Sequence, residues 1–153
     1  MYDGVLAQYA GDAIEAFWNA PMDQADHARR ACLAALDMVA ALATLRPAFE
    51  ARGGAHLDLG VGINTGRMVV GNMGSKDRLI YTAVGDPVNV AARLEGLSKE
   101  YGVRIVVGEA TVAAEPQAFV YRMLDRVAVK GRAEPITCYE VLARAGALDP
   151  AAE

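Results

Sequence analysis

Asn89 and Arg93 stand four residues apart in a stretch that opens Gly85-Asp86-Pro87-Val88-Asn89. On a helix, that spacing puts both side chains on one face, beside a stripe of Val90, Leu94 and Leu97. A guanidinium offers a planar fork of donors suited to phosphate or carboxylate oxygens, and a carboxamide adds one donor and one acceptor group. Read alone, the pair is equally the polar edge of an amphipathic helix. Asp12 follows Gly11 in what reads as a tight turn, where Gly-Asp is common for backbone reasons only. Lys130 precedes Gly131 in another turn, where a lysine is usually just solvated. Gln8 can face either a donor or an acceptor, and Glu15, inside an apolar strand, needs a partner if it is buried.

These residues need elements to hold them. Val5 to Ala10 and Ala13 to Trp18 read as the two strands of a hairpin around Gly11-Asp12. A long helix, capped by Asp23 or Asp26, is expected to run towards Glu50 with Ala31, Ala35, Met38, Leu42 and Leu45 as its buried stripe. Pro47 is expected to kink or shorten its last turn, and Gly53-Gly54 to end it. Leu57, Leu59, Val61 and Ile63 alternate as a half-buried strand. Asn64-Thr65-Gly66 turns into a strand from Met68 to Asn72, and a polar loop from Gly74 to Arg78 precedes a short strand around Tyr81. Asp86-Pro87 starts a helix with an N-cap acceptor and a first-turn proline; its stripe is Val90, Leu94, Leu97 and Tyr101. Arg104 to Val107, Phe119 to Val129 and Ile136 to Leu142 read as later strands, and the Ala-rich tail from Ala143 as frayed. The order predicts an α+β fold with helices packed on one face of a largely antiparallel sheet.

The 153 residues are 54% hydrophobic and 22% charged, which suits one globular domain and excludes disorder. A net charge of −4 with no basic stripe argues against nucleic acid, although a few local cations can still hold an anionic substrate. Cys32 and Cys138 form no CxxC pair, so they are expected to be reduced and structural, as in the cytoplasm. No signal peptide is read at the start, and the charges in Ala25 to Ala51 argue against a membrane span and against membrane contact by this segment.

Four stretches in order resemble the class III adenylate/guanylate cyclase catalytic domain. They are Ala7-Gln-Tyr-Ala-Gly-Asp-Ala-Ile-Glu-Ala-Phe-Trp18; Val61-Gly-Ile-Asn-Thr-Gly66 continuing to Val70-Gly-Asn-Met-Gly-Ser75; Tyr81-Thr-Ala-Val-Gly-Asp-Pro-Val-Asn-Val-Ala-Ala-Arg-Leu-Glu95; and Val129-Lys-Gly-Arg132. The resemblance implies a ferredoxin-like, palm-type sheet and conversion of ATP, with GTP as the alternative substrate, into a 3′,5′-cyclic nucleotide and pyrophosphate. It makes Asp12 a ligand of a Mg²⁺ or Mn²⁺ pair, consistent with the hard oxygens such ions prefer. It makes Arg93 the group that neutralises charge on the α-phosphate, Asn89 the group that orients the ribose, and Lys130 a triphosphate ligand, with Arg78 also within reach of phosphate. Gln8 and Thr82 fall where the family reads the base: adenylyl cyclases place Lys with Asp or Thr there, guanylyl cyclases Glu with Cys. Thr82 fits the adenylyl set, Gln8 neither.

The resemblance further implies a homodimer, or a paired cyclase domain, that is head-to-tail. One subunit supplies Asp12, and its partner supplies Gln8, Thr82, Asn89, Arg93 and Lys130. The expected domain covers residues 1–143, followed by a tail over 144–153. The family's first strand, in a segment like "FxDIxGFT" with a second metal Asp, has no counterpart here, so the chain is expected to be an N-terminally incomplete domain, inactive alone. The alternative reading is a degenerate module of the same fold that binds nucleotide or a partner protein without catalysis.

Overall fold

The computed structural model describes residues 2–147. Its elements are β1 (Val5–Ala10), β2 (Ala13–Phe17), α1 (His27–Glu50), β3 (Val61–Ile63), β4 (Val69–Ser75), β5 (Arg78–Val84), α2 (Asp86–Tyr101), β6 (Ile105–Gly108), α3 (Glu109–Ala114), β7 (Phe119–Val127) and β8 (Ile136–Arg144). A four-stranded sheet has the order β3-β6-β8-β7, and β1-β2 and β4-β5 form separate hairpins. Only the β3–β6 pairing is parallel among the described residues. The α+β class and the predominance of antiparallel pairing are as the element order predicts.

The helices are placed differently from the expectation. All four residues of β6 are buried, which a strand achieves only when both its faces are covered. Val106 joins Val90, Leu94 and Leu97 of α2 in one apolar cluster. Its neighbours Ile105 and Val107 point the other way and join Cys32 and Ala35 of α1. The two-residue period of the strand thus assigns α2 to one face and α1 to the opposite one, not both to a single face.

Only the first half of α1 is covered. Ala28, Ala31, Cys32 and Ala35 are buried, while the expected stripe residues Met38 and Leu45 are exposed. The helix passes through Pro47 to Glu50, because a proline in the last turn removes one N–H and frees only a solvent-facing carbonyl one turn earlier. Asp26 is its N-cap residue but makes no capping bond; its carboxylate instead accepts from Arg30 Nε at 2.7 Å. By length and composition α1 qualifies as a membrane-crossing helix, with 24 residues and a window of mean hydropathy 1.5, so its charges alone do not exclude that reading. What assigns it to this domain is the face packed on the sheet.

Other boundaries moved for local reasons. Of the alternating stretch from Leu57, only Val61–Ile63 pairs, alongside β6. The loop expected between Gly74 and Arg78 is a tight hairpin, in which Ser75 already pairs with Arg78. Asp86 is the first residue of α2 and Gly85 its N-cap. The short helix α3, unmarked in the sequence, buries Thr111. Strand β8 continues to Arg144, and of the tail expected to fray, residues 148–153 lie outside the described residues.

Candidate active site

The helix bearing Asn89 and Arg93 is fixed from below. Val90 and Leu94 are fully buried and Leu97 nearly so, which leaves Asn89 and Arg93 exposed. Its seat is made by the Gly62-Ile-Asn-Thr-Gly66 stretch. A methyl group at Gly62 would overlap the Ala91 carbonyl and the Glu95 backbone, and one at Gly66 would lie 2.5 Å from Pro87 Cγ. Gly62 brings β3 against the backbone of α2, and Gly66 lets the following turn approach the Pro87 ring. Asn64 Nδ2 donates to the Pro87 carbonyl at 3.2 Å, and Asp86 pairs with Arg132 at 3.5 Å. The second contact ties the β7–β8 loop, which carries Lys130, to the N-terminal end of α2. Arg93 donates to Glu100 at 3.1 Å, so its guanidinium lies along the helix surface.

The β1–β2 hairpin carries the other set. Gly11 has φ +65, the left-handed conformation that a two-residue turn requires, and Asp12 is exposed beside it. Gln8 lies directly opposite Glu15 in the register, so the two side chains share a face. Gln8 Nε2 donates to Glu15 Oε2 at 2.9 Å, and the Thr82 hydroxyl donates to Glu15 Oε1 at 3.4 Å. The hairpin is held against β5 by Phe17, whose ring centroid is 5.7 Å from that of Tyr81. Thr82 is buried and Glu15 half-buried. The partner that Glu15 requires is therefore supplied twice.

The structure thus joins Gln8 and Thr82 through Glu15. It does not join Asp12, Asn89, Arg93 or Lys130 to one another: among the described residues no hydrogen bond or ion pair links them, and the recorded partner of Arg93 is Glu100. Arg78 is exposed at the tip of the β4–β5 hairpin. A cleft of about 270 Å³ at the start of α2 is lined by Arg67, Asp86, Glu109 and Arg132 among others, but by none of Gln8, Thr82, Asn89 or Arg93. Sequence reading missed the bridging role of Glu15 and the Asp86–Arg132 tether; a carboxylate in an apolar strand was the available signal for the first, and nothing local announced the second.

No group of three or more His, Cys, Asp or Glu side chains converges to hold a metal among the described residues. Asp12 is one exposed carboxylate, which suits Mg²⁺ only if nucleotide phosphates and water complete the shell, as is usual for that ion.

A mixed sheet flanked by helices, with a Gly-Asp hairpin packed on the β4–β5 arm and an Asn–Arg helix seated by glycines, defines a nucleotidyl cyclase domain. The family model described as the adenylate and guanylate cyclase catalytic domain matches residues 7–143, and the chain belongs to that family. It is 41% identical over 141 residues to adenylate cyclase 1 of Rhizobium meliloti, covering 92% of this chain but 21% of that protein. The crystal structure of the adenylyl cyclase CyaB from P. aeruginosa superposes with a TM-score of 0.84 at 28% identity, covering 97% of this chain and 76% of that one. That of the guanylyl cyclase Cya2 gives 0.83 at 29% identity, covering 97% and 74%. The chain therefore spans about a fifth of the Rhizobium relative's length.

Proposed function

We propose that this chain is the catalytic domain of an adenylyl cyclase, converting ATP into 3′,5′-cyclic AMP and pyrophosphate within a head-to-tail pair of domains. The observation that carries the reading is α2. It exposes Asn89 and Arg93 on a helix anchored by Val90, Leu94 and Leu97, in a chain of the cyclase family. The name of the Rhizobium relative and Thr82 support ATP over GTP.

In this reading Arg93 leaves Glu100 and donates to the α-phosphate as charge accumulates there, and Asn89 orients the ribose so that its 3′-oxygen attacks in line. Lys130, on the loop tethered to α2, holds the triphosphate, and Arg78 lies on the arm that could reach it. Gln8 and Thr82 contact the base. Asp12 would hold Mg²⁺ or Mn²⁺ together with phosphate oxygens; such ions, when bound, stabilise the attacking oxygen and the charge on the phosphate. ATP as substrate places the domain in the cytoplasm.

The second reading, a non-catalytic module of the same fold, is favoured by the solitary carboxylate at Asp12. Turnover of ATP in Mn²⁺ decides between them. Arg93→Ala should lower kcat by about a hundredfold or more while nucleotide affinity changes only a few-fold. Equal losses in both would remove Arg93 from the transition state, and no cyclic product from an assembled, folded dimer that also carries the second metal Asp would leave the non-catalytic module.

A further inference from the structure

Gln8 and Thr82 are individually ambiguous. A carboxamide can turn either its oxygen or its nitrogen outward, and a hydroxyl can donate or accept. Between them the structure places a group that is not ambiguous when ionised: Glu15, acceptor-only, receives Gln8 Nε2 at 2.9 Å on one oxygen and the Thr82 hydroxyl at 3.4 Å on the other. Each contact removes a choice. With its nitrogen committed to Glu15, the Gln8 amide turns its oxygen away from the carboxylate. The Thr82 hydroxyl, with its one proton directed at Glu15 over the longer 3.4 Å contact, presents its lone pairs outward.

Resting on the cyclase reading above, we infer that Glu15 is the residue that sets purine choice, by fixing Gln8 and Thr82 as a pair of acceptors that selects the 6-amino group of adenine. That amino group carries two N–H donors, one for each acceptor. Guanine in the same ring placement turns its 6-oxo group towards the Gln8 oxygen and the Thr82 lone pairs, with only the second N–H of the Gln8 amide left to meet it. Glu15 is thus a positioning residue, acting through Gln8 and Thr82 and not on the phosphate.

The rest of the hairpin keeps the arrangement in place. Gln8 and Glu15 are register partners across β1 and β2, and Phe17, two residues along on the same face as Glu15, is buried against Tyr81 of β5. The carboxylate therefore meets Thr82 from a strand that is itself locked on the strand bearing Thr82. No other charged side chain is recorded on either Gln8 or Thr82 among the described residues.

The test is binding, read without turnover. Unlabelled ATP and GTP compete in turn for an N-methylanthraniloyl-ATP probe on the wild-type protein, E15Q, Gln8→Leu and the double variant, in Mg²⁺. The wild type should prefer ATP. E15Q, which keeps shape but lets the Gln8 amide flip, should lower that preference by about tenfold with an unchanged melting temperature to within a few degrees. Gln8→Leu should lower it similarly, and the double variant no further than either, because both remove one device. An unchanged ATP:GTP ratio in E15Q, or a wild type that prefers GTP, overturns the role of Glu15 while leaving the cyclase reading intact. If E15Q does not fold, the ratio in Gln8→Leu decides. Failure of the wild type to bind either nucleotide overturns both readings.

Discussion

Cys32 shows what a single residue contributes here beyond its volume. It is fully buried under α1 against the sheet, and burial in that apolar cluster, with a smaller contribution from Glu115, pushes its thiol up to about 12. Ionisation would place an unpaired charge in the cluster, so the folded chain keeps the proton where the unfolded chain gives it up. Because the folded value is the raised one, the stabilisation is full below the unfolded thiol's range near pH 9 and is lost as pH rises towards 12. Tyr101 acts in the same direction: its hydroxyl donates to Asp125 at 2.7 Å, and that bond raises it to about 12. Melting temperature is therefore expected to hold between pH 7 and 8.5 and to fall steeply above about pH 9.5. At pH 8, Cys32 should react with a thiol reagent only at the rate of unfolding, and fast labelling of two thiols in the native protein would contradict its burial.

At the scale of elements, the decisive contact is the seat of α2 on β3. Gly62 lies where any side chain would meet the Ala91 carbonyl and the Glu95 backbone, both rigid atoms of the helix. Gly62→Ala therefore cannot be relieved by a rotamer change and must lift α2, at a cost of about 1–3 kcal/mol or more. Lifting α2 also moves Asn89 and Arg93, so activity is expected to fall more than the stability loss explains, as measured by kcat at a temperature where the variant is still fully folded. By contrast Gly71 has open space around it, and Gly71→Ala serves as the control that should spare both. This seat also explains what the sequence disclosed. The strand pair around Gly11-Asp12, the start of α2 at Asp86-Pro87 and the Val90–Leu94–Leu97 stripe are local patterns, and each was legible from spacing. The placement of α1 and α2 on opposite faces was not, because it depends on which face of β6 each helix meets. The exposed half of α1 misled for a related reason: Met38 and Leu45 follow the helical period, yet the sheet ends before it reaches them. Likewise, the side chain of Glu15 was visible as an anomaly in an apolar strand, but its partners lie seven and 67 residues away and meet it only in three dimensions.

The whole molecule presents the candidate residues on surfaces instead of enclosing them. Asp12, Asn89, Arg93 and Lys130 are all exposed, and the cleft at the start of α2 is lined by other side chains. A catalytic site needs its groups held around the substrate and shielded from water, so the proposed activity requires a second domain to close over these surfaces. A head-to-tail pair makes a specific demand. Asp12 of one subunit must work with Asn89 and Arg93 of its partner, and a twofold pair contains two such composite sites. Asp12→Ala and Arg93→Ala should each be inactive as homodimers, since every site then lacks a member. Mixed in equal amounts and allowed to exchange, half of the dimers are mixed, and each of these holds one intact site and one doubly broken site. The mixture should recover about a quarter of the wild-type rate per chain, a fraction set by pairing statistics alone. The recovered rate should fall on dilution as the pairs dissociate. If the two residues served one site within a single chain, mixing would restore nothing at any ratio, and the rate of the mixture would equal the average of the two inactive proteins.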